Sequence, residues 1–298
     1  MQKGVADALR TAAKAISQAR ALVITAGAGL GVDSGLPDFR GKEGFWKAYP
    51  HFEKLGYSFV QMANPAWFEN DPQLAWGFYG HRLKLYKDTQ PHEGYHLLRK
   101  WANACEKGGF VVTSNVDGHF AKAGFDIDRL YEVHGSINYV QCTAPHRCAG
   151  GTAIMPSPPP SELEVNMDTL RVQAESVPKC PQAGCGKVQR PAILLFNDYH
   201  WASDHFDEQE ARYGAYIDGL DVKDGELVVI EMGAGTSVPT IRMESEAMCE
   251  WRGAFLVRIN PRESDVPSKL NGRAVGIPLG ARDALTQIEK IMSEKRTE

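Results

Sequence analysis

Residues 22–41 of this 298-residue chain, LVITAGAGLGVDSGLPDFRG, constrain its fold more than any other stretch. Residues 22–25, Leu-Val-Ile-Thr, are mostly apolar and rich in β-branched side chains, which is typical of a buried parallel strand. The turn Gly27-Ala28-Gly29 follows directly, and residues this small let backbone N–H groups approach a pyrophosphate. The usual dinucleotide fingerprint needs a third glycine at the position where Val32 stands. The glycines alone therefore leave nucleotide binding and a plain tight turn equally open.

Composition and charge narrow the possible functions. The net charge of -4 and the pI of about 6.2 give no basic surface, so we expect no direct binding to nucleic acid. The length and the 43% hydrophobic content predict one large domain, or a domain with a smaller insert. Because no apolar run approaches the length that crosses a bilayer, we expect no membrane span. Six cysteines without a secretory signal indicate a reducing compartment, and we expect a cytoplasmic location.

The first 20 residues allow two interpretations. They contain basic residues and few acidic ones, as transit peptides do. Apolar residues nevertheless recur at helical spacing and lead into the strand at residue 22, which favours a helix packed on the sheet. The recurring positions are Val5, Leu9, Ala12, Ala13, Ile16 and Ala19.

The segment at residues 34–41, SGLPDFRG, resembles the signature loop of the sirtuins, which are NAD-dependent protein deacylases. Further motifs of that family follow in the same order: SNVDG at 114–118, EVHGS at 132–136, RPAILLFND at 190–198, GTS at 235–237 and INP at 259–261. The chain resembles bacterial-type members. The resemblance implies NAD-dependent removal of acyl groups from protein lysines, with nicotinamide and O-acyl-ADP-ribose as products. It also implies that acylated proteins or peptides are the binding partners.

The resemblance assigns roles to residues that follow the predicted strands. His134 falls at the family's catalytic position, and histidine can accept a proton near neutral pH. Asn115 would position the ribose or a water molecule, and Asp117 would contact the nicotinamide amide. The residues that would bind NAD are Gly27, Ala28, Gly29, Asp38, Phe39, Arg40, Ser114, Gly235, Thr236, Ser237 and Asn260.

Four residues are candidates for substrate binding. Tyr79 and Arg82 are three residues apart and would share a helix face, although such a pair is more often a solvated arginine beside a half-buried tyrosine. The pair resembles the sirtuin branch that removes succinyl and malonyl groups, in which the two residues hold the acyl carboxylate. Phe196 and Asn197 would lie beside the substrate peptide, which pairs as an added strand. Asn197 stands where the family has glycine.

Cysteines form two close pairs in the middle of the chain. Cys142 and Cys148 are six positions apart, and Cys180 and Cys185 are five apart, so neither pair has the tight CxxC spacing of most zinc knuckles. The resemblance places a zinc module here, and we favour a closed structural zinc site over free thiols. His146 is an alternative ligand. The other two cysteines, Cys105 and Cys249, are expected to be small buried residues.

Strands that alternate with helical segments predict an α/β fold, a Rossmann-like doubly wound parallel sheet with a smaller inserted zinc-binding and helical domain. Residues 1–41, 109–140 and 190–298 would form the NAD-binding domain, 42–108 a helical lid module and 141–189 a zinc-binding module. We expect residues 255–259 to be the final strand and residues 282–295 a closing helix.

Two other functions stay open because Ser114 replaces a glutamine of the family's motif. The chain could be an NAD glycohydrolase or ADP-ribosyltransferase on the same fold. It could also be a non-catalytic NAD-binding module, although the joint presence of His134, Asn115 and Asp117 argues against that. Gly31, where the family's loop usually has serine, is a third departure from the pattern, after Asn197 and Ser114.

Overall fold

A computed structural model of the chain describes residues 3–38, 41–270 and 272–294. Eleven strands lie within this part of the chain. They are β1 (Ala21–Ala26), β2 (Gly109–Thr113), β3 (Leu130–Glu132), β4 (Gly135–Cys142), β5 (Met155–Pro156), β6 (Val165–Asn166), β7 (Arg171–Val172), β8 (Gln189–Ile193), β9 (Leu227–Met232), β10 (Phe255–Ile259) and β11 (Ala274–Ile277).

The same part of the chain contains eleven α-helices. They are α1 (Lys3–Gln18), α2 (Gly41–Ala48), α3 (Pro50–Leu55), α4 (Phe59–Met62), α5 (Trp67–Asn70), α6 (Pro72–Asp88), α7 (Glu93–Ala104), α8 (His119–Lys122), α9 (Asp204–Asp218), α10 (Thr240–Trp251) and α11 (Ala281–Glu294). Within these described residues, no helix is both long and apolar enough to cross a membrane.

Six parallel strands form the main sheet, in the order β11-β10-β9-β1-β2-β3. Strand β1 lies inside the sheet between β9 and β2, and all six of its residues are buried. Burial on both faces explains the apolar run at residues 22–24, and the buried Thr25 hydroxyl is paired with the Ser245 hydroxyl at 2.9 Å. The predicted parallel α/β sheet is confirmed. Our expectation that Phe255–Ile259 is the final strand is wrong, because β11 adds an edge strand that is short, half-buried and contains a glycine.

Helices cover both faces of this sheet. On one face, α1, α7 and α11 bury residues such as Leu9, Leu98 and Leu285 against the strands. On the other face, α9 and α10 contribute residues that include Ile217 and Met248. The sheet is therefore doubly wound, and the helix predicted for the first 20 residues packs on it as expected.

A second core lies outside the main sheet. Strand β4 pairs antiparallel with β5 and β8, and β6 and β7 form a hairpin. Apolar residues of α2 to α6 pack with residues of these strands and of the hairpin in one cluster. Helices α2 to α6 and the cysteine-containing segment thus share a core, and β4 and β8 pair with each other rather than with the six-stranded parallel sheet. The domain boundaries given above remain a prediction.

Helix α6 crosses the β6–β7 hairpin at Gly77. A Cβ atom at this position would overlap the carbonyl oxygen of Leu170, a backbone atom that cannot swing aside. We expect Gly77→Ala to destabilise the protein by about 3 kcal/mol, the upper range for overpacking, although alanine is the better helix former. Urea unfolding would measure this. The control is Gly214→Ala on α9, where no atom lies within 4 Å of the added methyl group, so the midpoint should stay or rise. Equal midpoints for the two variants would contradict the packing explanation.

Candidate active site

A cavity of about 890 Å³ lies at the carboxyl ends of the parallel strands. The segments after β1, β2, β3, β9 and β10 contribute to its lining. Helices α4 and α6, the segment after β8 and Ile241 of α10 also contribute. Ligands of open α/β sheets bind at this edge, because the loops that follow parallel strands converge there.

The glycine turn after β1 packs against the loop after β9. The Gly27 N–H donates to the Met232 carbonyl at 2.9 Å, and the Gly29 N–H donates to the Gly233 carbonyl at 3.1 Å. A Cβ atom at Gly29 would lie 2.7 Å from the Gly233 Cα, so only glycine permits this approach. Gly27 and Ala28 line the cavity, whereas Gly29 does not. Part of the glycine pattern is therefore required by the packing of two loops.

The segment after β2 brings Ser114, Asn115 and Asp117 to the cavity. Asn115 is 8% exposed, and its side-chain N–H donates to the Gly27 carbonyl at 3.1 Å, which ties the two loops together. The Asp117 carboxylate accepts the His119 backbone N–H at 2.8 Å. Desolvation raises the pKa of Asp117, and the nearby charges of His119 and Arg82 oppose that shift.

His134 follows β3 and lines the same cavity as Asn115 and Asp117. Its backbone carbonyl accepts the Leu194 N–H at 3.0 Å, which joins this position to the segment after β8. Desolvation lowers the pKa of His134 below its ordinary value of 6.5, and an interaction with the Ser114 backbone partly opposes the shift. The imidazole is consequently neutral at pH 7 and can accept a proton.

The loop after β9 supplies Gly235, Thr236 and Ser237 to the cavity lining. Asn260 does not line the cavity and is 1% exposed. Its side-chain N–H donates to the Ala234 carbonyl at 2.9 Å, and its side-chain oxygen accepts the N–H of Arg262 at 3.0 Å. Asn260 therefore connects the two lining loops that follow β9 and β10.

Asp38 also lines the cavity, and its carboxylate accepts a hydrogen bond from the Arg262 guanidinium at 2.8 Å. This ion pair joins the loop after β1 to the loop after β10. Phe39 and Arg40, which were predicted to contact NAD, lie outside the described residues.

Helix α6 places Tyr79, Arg82 and Tyr86 in the lining of the cavity. Arg82 is 5% exposed and donates from Nε and Nη2 to the Tyr86 hydroxyl, at 3.1 and 2.8 Å. The Tyr79 hydroxyl is buried and has no hydrogen-bond partner among the described residues. Burial raises the pKa of Tyr79 to about 12, so the hydroxyl keeps its proton and can donate it to a ligand. Tyr86 was not identified as a site residue from the sequence. Its position four residues after Arg82 could have indicated it, because residues at that spacing share a helix face.

The segment after β8 places Phe196 in the cavity lining, and the Phe196 N–H donates to the Ala63 carbonyl at 2.9 Å. Asn197 is exposed and does not line the cavity. It has a φ of 58°, in the left-handed region that glycine and asparagine tolerate best. Under this turn, Arg190 and Asp198 form an ion pair of 2.7 Å whose side chains are at most 1% exposed. Asn197 therefore adopts the left-handed backbone conformation of this turn, although it is not a glycine.

The four cysteines of the inserted segment converge on one point. The sulfur atoms of Cys142, Cys148, Cys180 and Cys185 all lie within 4.8 Å of one another. Two of the Sγ–Sγ distances are 3.6 Å, close to the edge of about 3.8 Å expected for a tetrahedron with zinc–sulfur bonds of about 2.3 Å. The donor set is four thiols, which zinc prefers, and it leaves no open coordination position for catalysis. His146 is not a member of this cluster.

The sequence model that describes the Sir2 family matches residues 27–212, more than half of the chain. The chain belongs to the Sir2 family. The resemblance to sirtuins stated from the sequence motifs is confirmed. The match covers the glycine turn, the segments after β2 and β3, α6 and all four clustered cysteines.

Curated relatives of this Sir2 chain include several NAD-dependent protein deacylases. The one from Candida albicans is 34% identical over 130 residues, which are 43% of this chain and 40% of the relative. The sirtuin-5 deacylase of Canis lupus familiaris is 29% identical over 194 residues, which are 62% and 58%. In these two alignments the chain spans well under two thirds of the relative's length. NAD-dependent protein deacylase 1 of Caldanaerobacter subterraneus is 28% identical over 254 residues, which are 85% and 88%.

Solved Sir2 structures share this fold. The ADP-ribose complex of a Sir2 homologue with a single phenylalanine-to-alanine substitution has a TM-score of 0.67 at 22% identity and covers 96% of this chain and 97% of its own. The NAD complex of a Sir2 homologue has a TM-score of 0.66 at 22% identity and covers 95% and 94%. At this level of identity the comparison establishes the fold, and the predicted Rossmann-like α/β class is confirmed.

Proposed function

We propose that this chain is an NAD-dependent protein-lysine deacylase that forms nicotinamide and O-acyl-ADP-ribose. The observation that supports the proposal most is that His134, Asn115 and Asp117 line one cavity. The same cavity is lined by Tyr79 and Arg82 of α6. Relatives named as NAD-dependent protein deacylases add support. Acylated lysines of proteins would be the substrates. The cytoplasmic location expected from the cysteine content stays a prediction.

The cavity is suited to NAD in size and in lining. Its volume of about 890 Å³ falls in the upper range of small-molecule sites, enough for a dinucleotide with an acyl-lysine side chain beside it. Gly27, Ala28 and Gly235 would let the diphosphate approach backbone N–H groups, and Thr236 and Ser237 offer hydroxyls. When bound, NAD supplies an electrophilic ribose carbon and nicotinamide as the leaving group.

The chain's own residues would perform the remaining work. Neutral His134 would accept the proton of a ribose hydroxyl at an imidazole nitrogen, so that this hydroxyl can attack the acyl group. Asn115, held by the Gly27 carbonyl, would position the ribose or a water molecule. Asp117 would accept a hydrogen bond from the nicotinamide amide. Ser114 is shorter than the glutamine of the family and would leave room for water.

A panel of acetyl-, succinyl-, malonyl- and long-chain acyl-lysine peptides, incubated with and without NAD, tests the proposal. We expect mass spectrometry to detect free lysine peptide only in the presence of NAD. Release of nicotinamide that does not depend on any peptide would instead support an NAD glycohydrolase. Binding of NAD without turnover of NAD or peptide would support a binding module.

We also propose that acidic acyl groups are preferred, because Tyr79 and Arg82 lie in the cavity lining with a buried hydroxyl donor and a guanidinium. Arginine binds a carboxylate through two parallel hydrogen bonds. We expect Arg82→Met to lower the ratio of kcat/KM for a succinyl-lysine peptide to that for its acetyl form by about 100-fold. Lys84→Met is the control, since it removes a positive charge from an exposed position of the same helix. An unchanged ratio in Arg82→Met would refute the preference for acidic groups.

The four clustered cysteines are proposed to bind a structural zinc ion. Their sulfur geometry fits a closed tetrahedral site, so zinc would stabilise the inserted segment and take no part in the deacylation.

A further inference from the structure

Three residues of α6 stand at spacings of three and four along one face of the helix. Tyr79, Arg82 and Tyr86 all line the cavity and are at most 6% exposed. The Tyr86 hydroxyl accepts from both Nε and Nη2 of Arg82, at 3.1 and 2.8 Å. Because two donors on one edge of a planar guanidinium converge on one oxygen, both the position and the plane of the group are defined.

Tyr86 orients the guanidinium without neutralising it. Burial raises the pKa of the Tyr86 hydroxyl, although the Arg82 charge opposes the shift, so the hydroxyl stays uncharged at neutral pH. The carbon at the centre of the Arg82 guanidinium also lies between 5.3 and 5.7 Å from the centroids of four aromatic rings, those of Phe59, Phe78, Tyr79 and Tyr86. These four ring contacts are cation–π contacts with uncharged groups, and they hold the guanidinium beside the cavity.

Tyr86 is itself held in place by the segment that follows Asp117. The Tyr86 carbonyl lies 3.3 Å from Nε2 of His119, a fully buried histidine. Lys122 lies on the same helix as His119, α8, and its ammonium group donates to the carbonyls of Lys87 and Thr89 at 2.6 and 2.7 Å. The end of α6 is therefore fixed to α8, which begins two residues after Asp117. The orientation of Arg82 is thus tied to the part of the cavity that contains Asp117.

From this geometry we infer that Tyr86 is a positioning residue for acyl-group recognition: its hydroxyl orients the Arg82 guanidinium so that the group binds the carboxylate of an acidic acyl chain. The inference rests on the proposed deacylase function and deepens it. Tyr79 and Arg82 would contact the acyl carboxylate, whereas Tyr86 acts through Arg82. Loss of the Tyr86 hydroxyl should weaken the recognition of acidic acyl groups relative to neutral ones.

The test measures equilibrium binding of one peptide in its succinyl-lysine and acetyl-lysine forms by titration calorimetry. In the unsubstituted protein the succinyl form should bind more tightly. Tyr86→Phe removes only the hydroxyl, and we expect it to reduce the ratio of the two affinities roughly tenfold, the value of about one charge-assisted hydrogen bond. Tyr216→Phe is the matched control, because its hydroxyl contacts the carbonyls of Leu22 and Gly108 rather than the cavity.

A double-mutant cycle separates positioning from simple packing. In an Arg82→Met background, Tyr86→Phe should cause no further change of the affinity ratio, since no guanidinium remains to be oriented. An unchanged ratio in Tyr86→Phe, an equal loss in the Arg82→Met background, or equal binding of both peptides to the unsubstituted protein would each overturn the inference. Turnover of the acetyl peptide with NAD is measured separately, so failure of the deacylase proposal is distinguishable from failure of this one.

Discussion

Replacement of His134 by alanine is expected to reduce NAD-dependent deacylation by at least about 100-fold, the usual contribution of a positioned general base. His134 lines the cavity with Asn115 and Asp117, and its lowered pKa keeps the imidazole neutral at pH 7. The variant should still bind NAD, because the glycine turn and the loop at residues 233–237 are unchanged. Steady-state kinetics with an acyl-lysine peptide and NAD would measure the loss.

The pH dependence of the unsubstituted protein provides a second readout for His134. Because a general base acts in its neutral form, kcat/KM should be constant at neutral pH and fall as the pH decreases through the pKa of His134. That pKa is lowered, so the midpoint of the fall should lie below pH 6.5. His205→Ala is the control, since this half-buried histidine of α9 does not line the cavity and its pKa is also lowered by burial. Full activity of His134→Ala would refute the role.

Replacement of Cys142 by alanine is expected to abolish zinc binding and unfold the inserted segment. Four sulfur atoms within 4.8 Å of one another form a site that three ligands cannot close. Structural zinc contributes about 10–16 kcal/mol in isolated zinc-finger peptides, more than a domain of ordinary stability can lose. Metal analysis should find about one zinc ion per unsubstituted chain and almost none in the variant. Circular dichroism and proteolysis would detect the unfolding.

Cys105→Ala is the matched control for the zinc site. Cys105 is half-buried, lies outside the cluster and has a pKa raised to about 11 by burial, so it stays a neutral thiol. This variant should keep its zinc and lose at most about 1 kcal/mol of stability. Zinc-free protein with four titratable free thiols and an intact fold would rule out a structural metal.

The parts of the fold that could be predicted are those with a local signal. Strands β1, β2, β9 and β10 are mostly apolar and are followed by glycine or polar residues, and their burial on both faces leaves a visible pattern. Strand β11 was missed because its four residues are mostly half-buried and lie at the edge of the sheet. Residues after β1, β2 and β3 could be assigned to one site, because loops after parallel strands converge.

Other features depend on contacts between distant segments, which a single sequence does not reveal. Gly29 lies in the turn predicted to bind NAD, and its absent side chain also makes room for Gly233, a residue of another loop. Asn260, a candidate for NAD binding, also joins the loops after β9 and β10 through its side chain, and its sequence position gave no sign of those contacts. The loose spacing of the cysteines departs from the usual zinc-knuckle pattern, and their convergence, which involves the pairing of β4 with β8, is not visible in the sequence.

The most direct test of the proposed activity is the stoichiometry of one reaction. An acetyl-lysine peptide and NAD are incubated with the protein, and nicotinamide, free lysine peptide and O-acetyl-ADP-ribose are quantified together over time. We predict that the three products appear in equal amounts and that none forms when either substrate is omitted. Nicotinamide that accumulates at the same rate without peptide, while the lysine stays acetylated, would contradict the assignment of this chain as a protein deacylase.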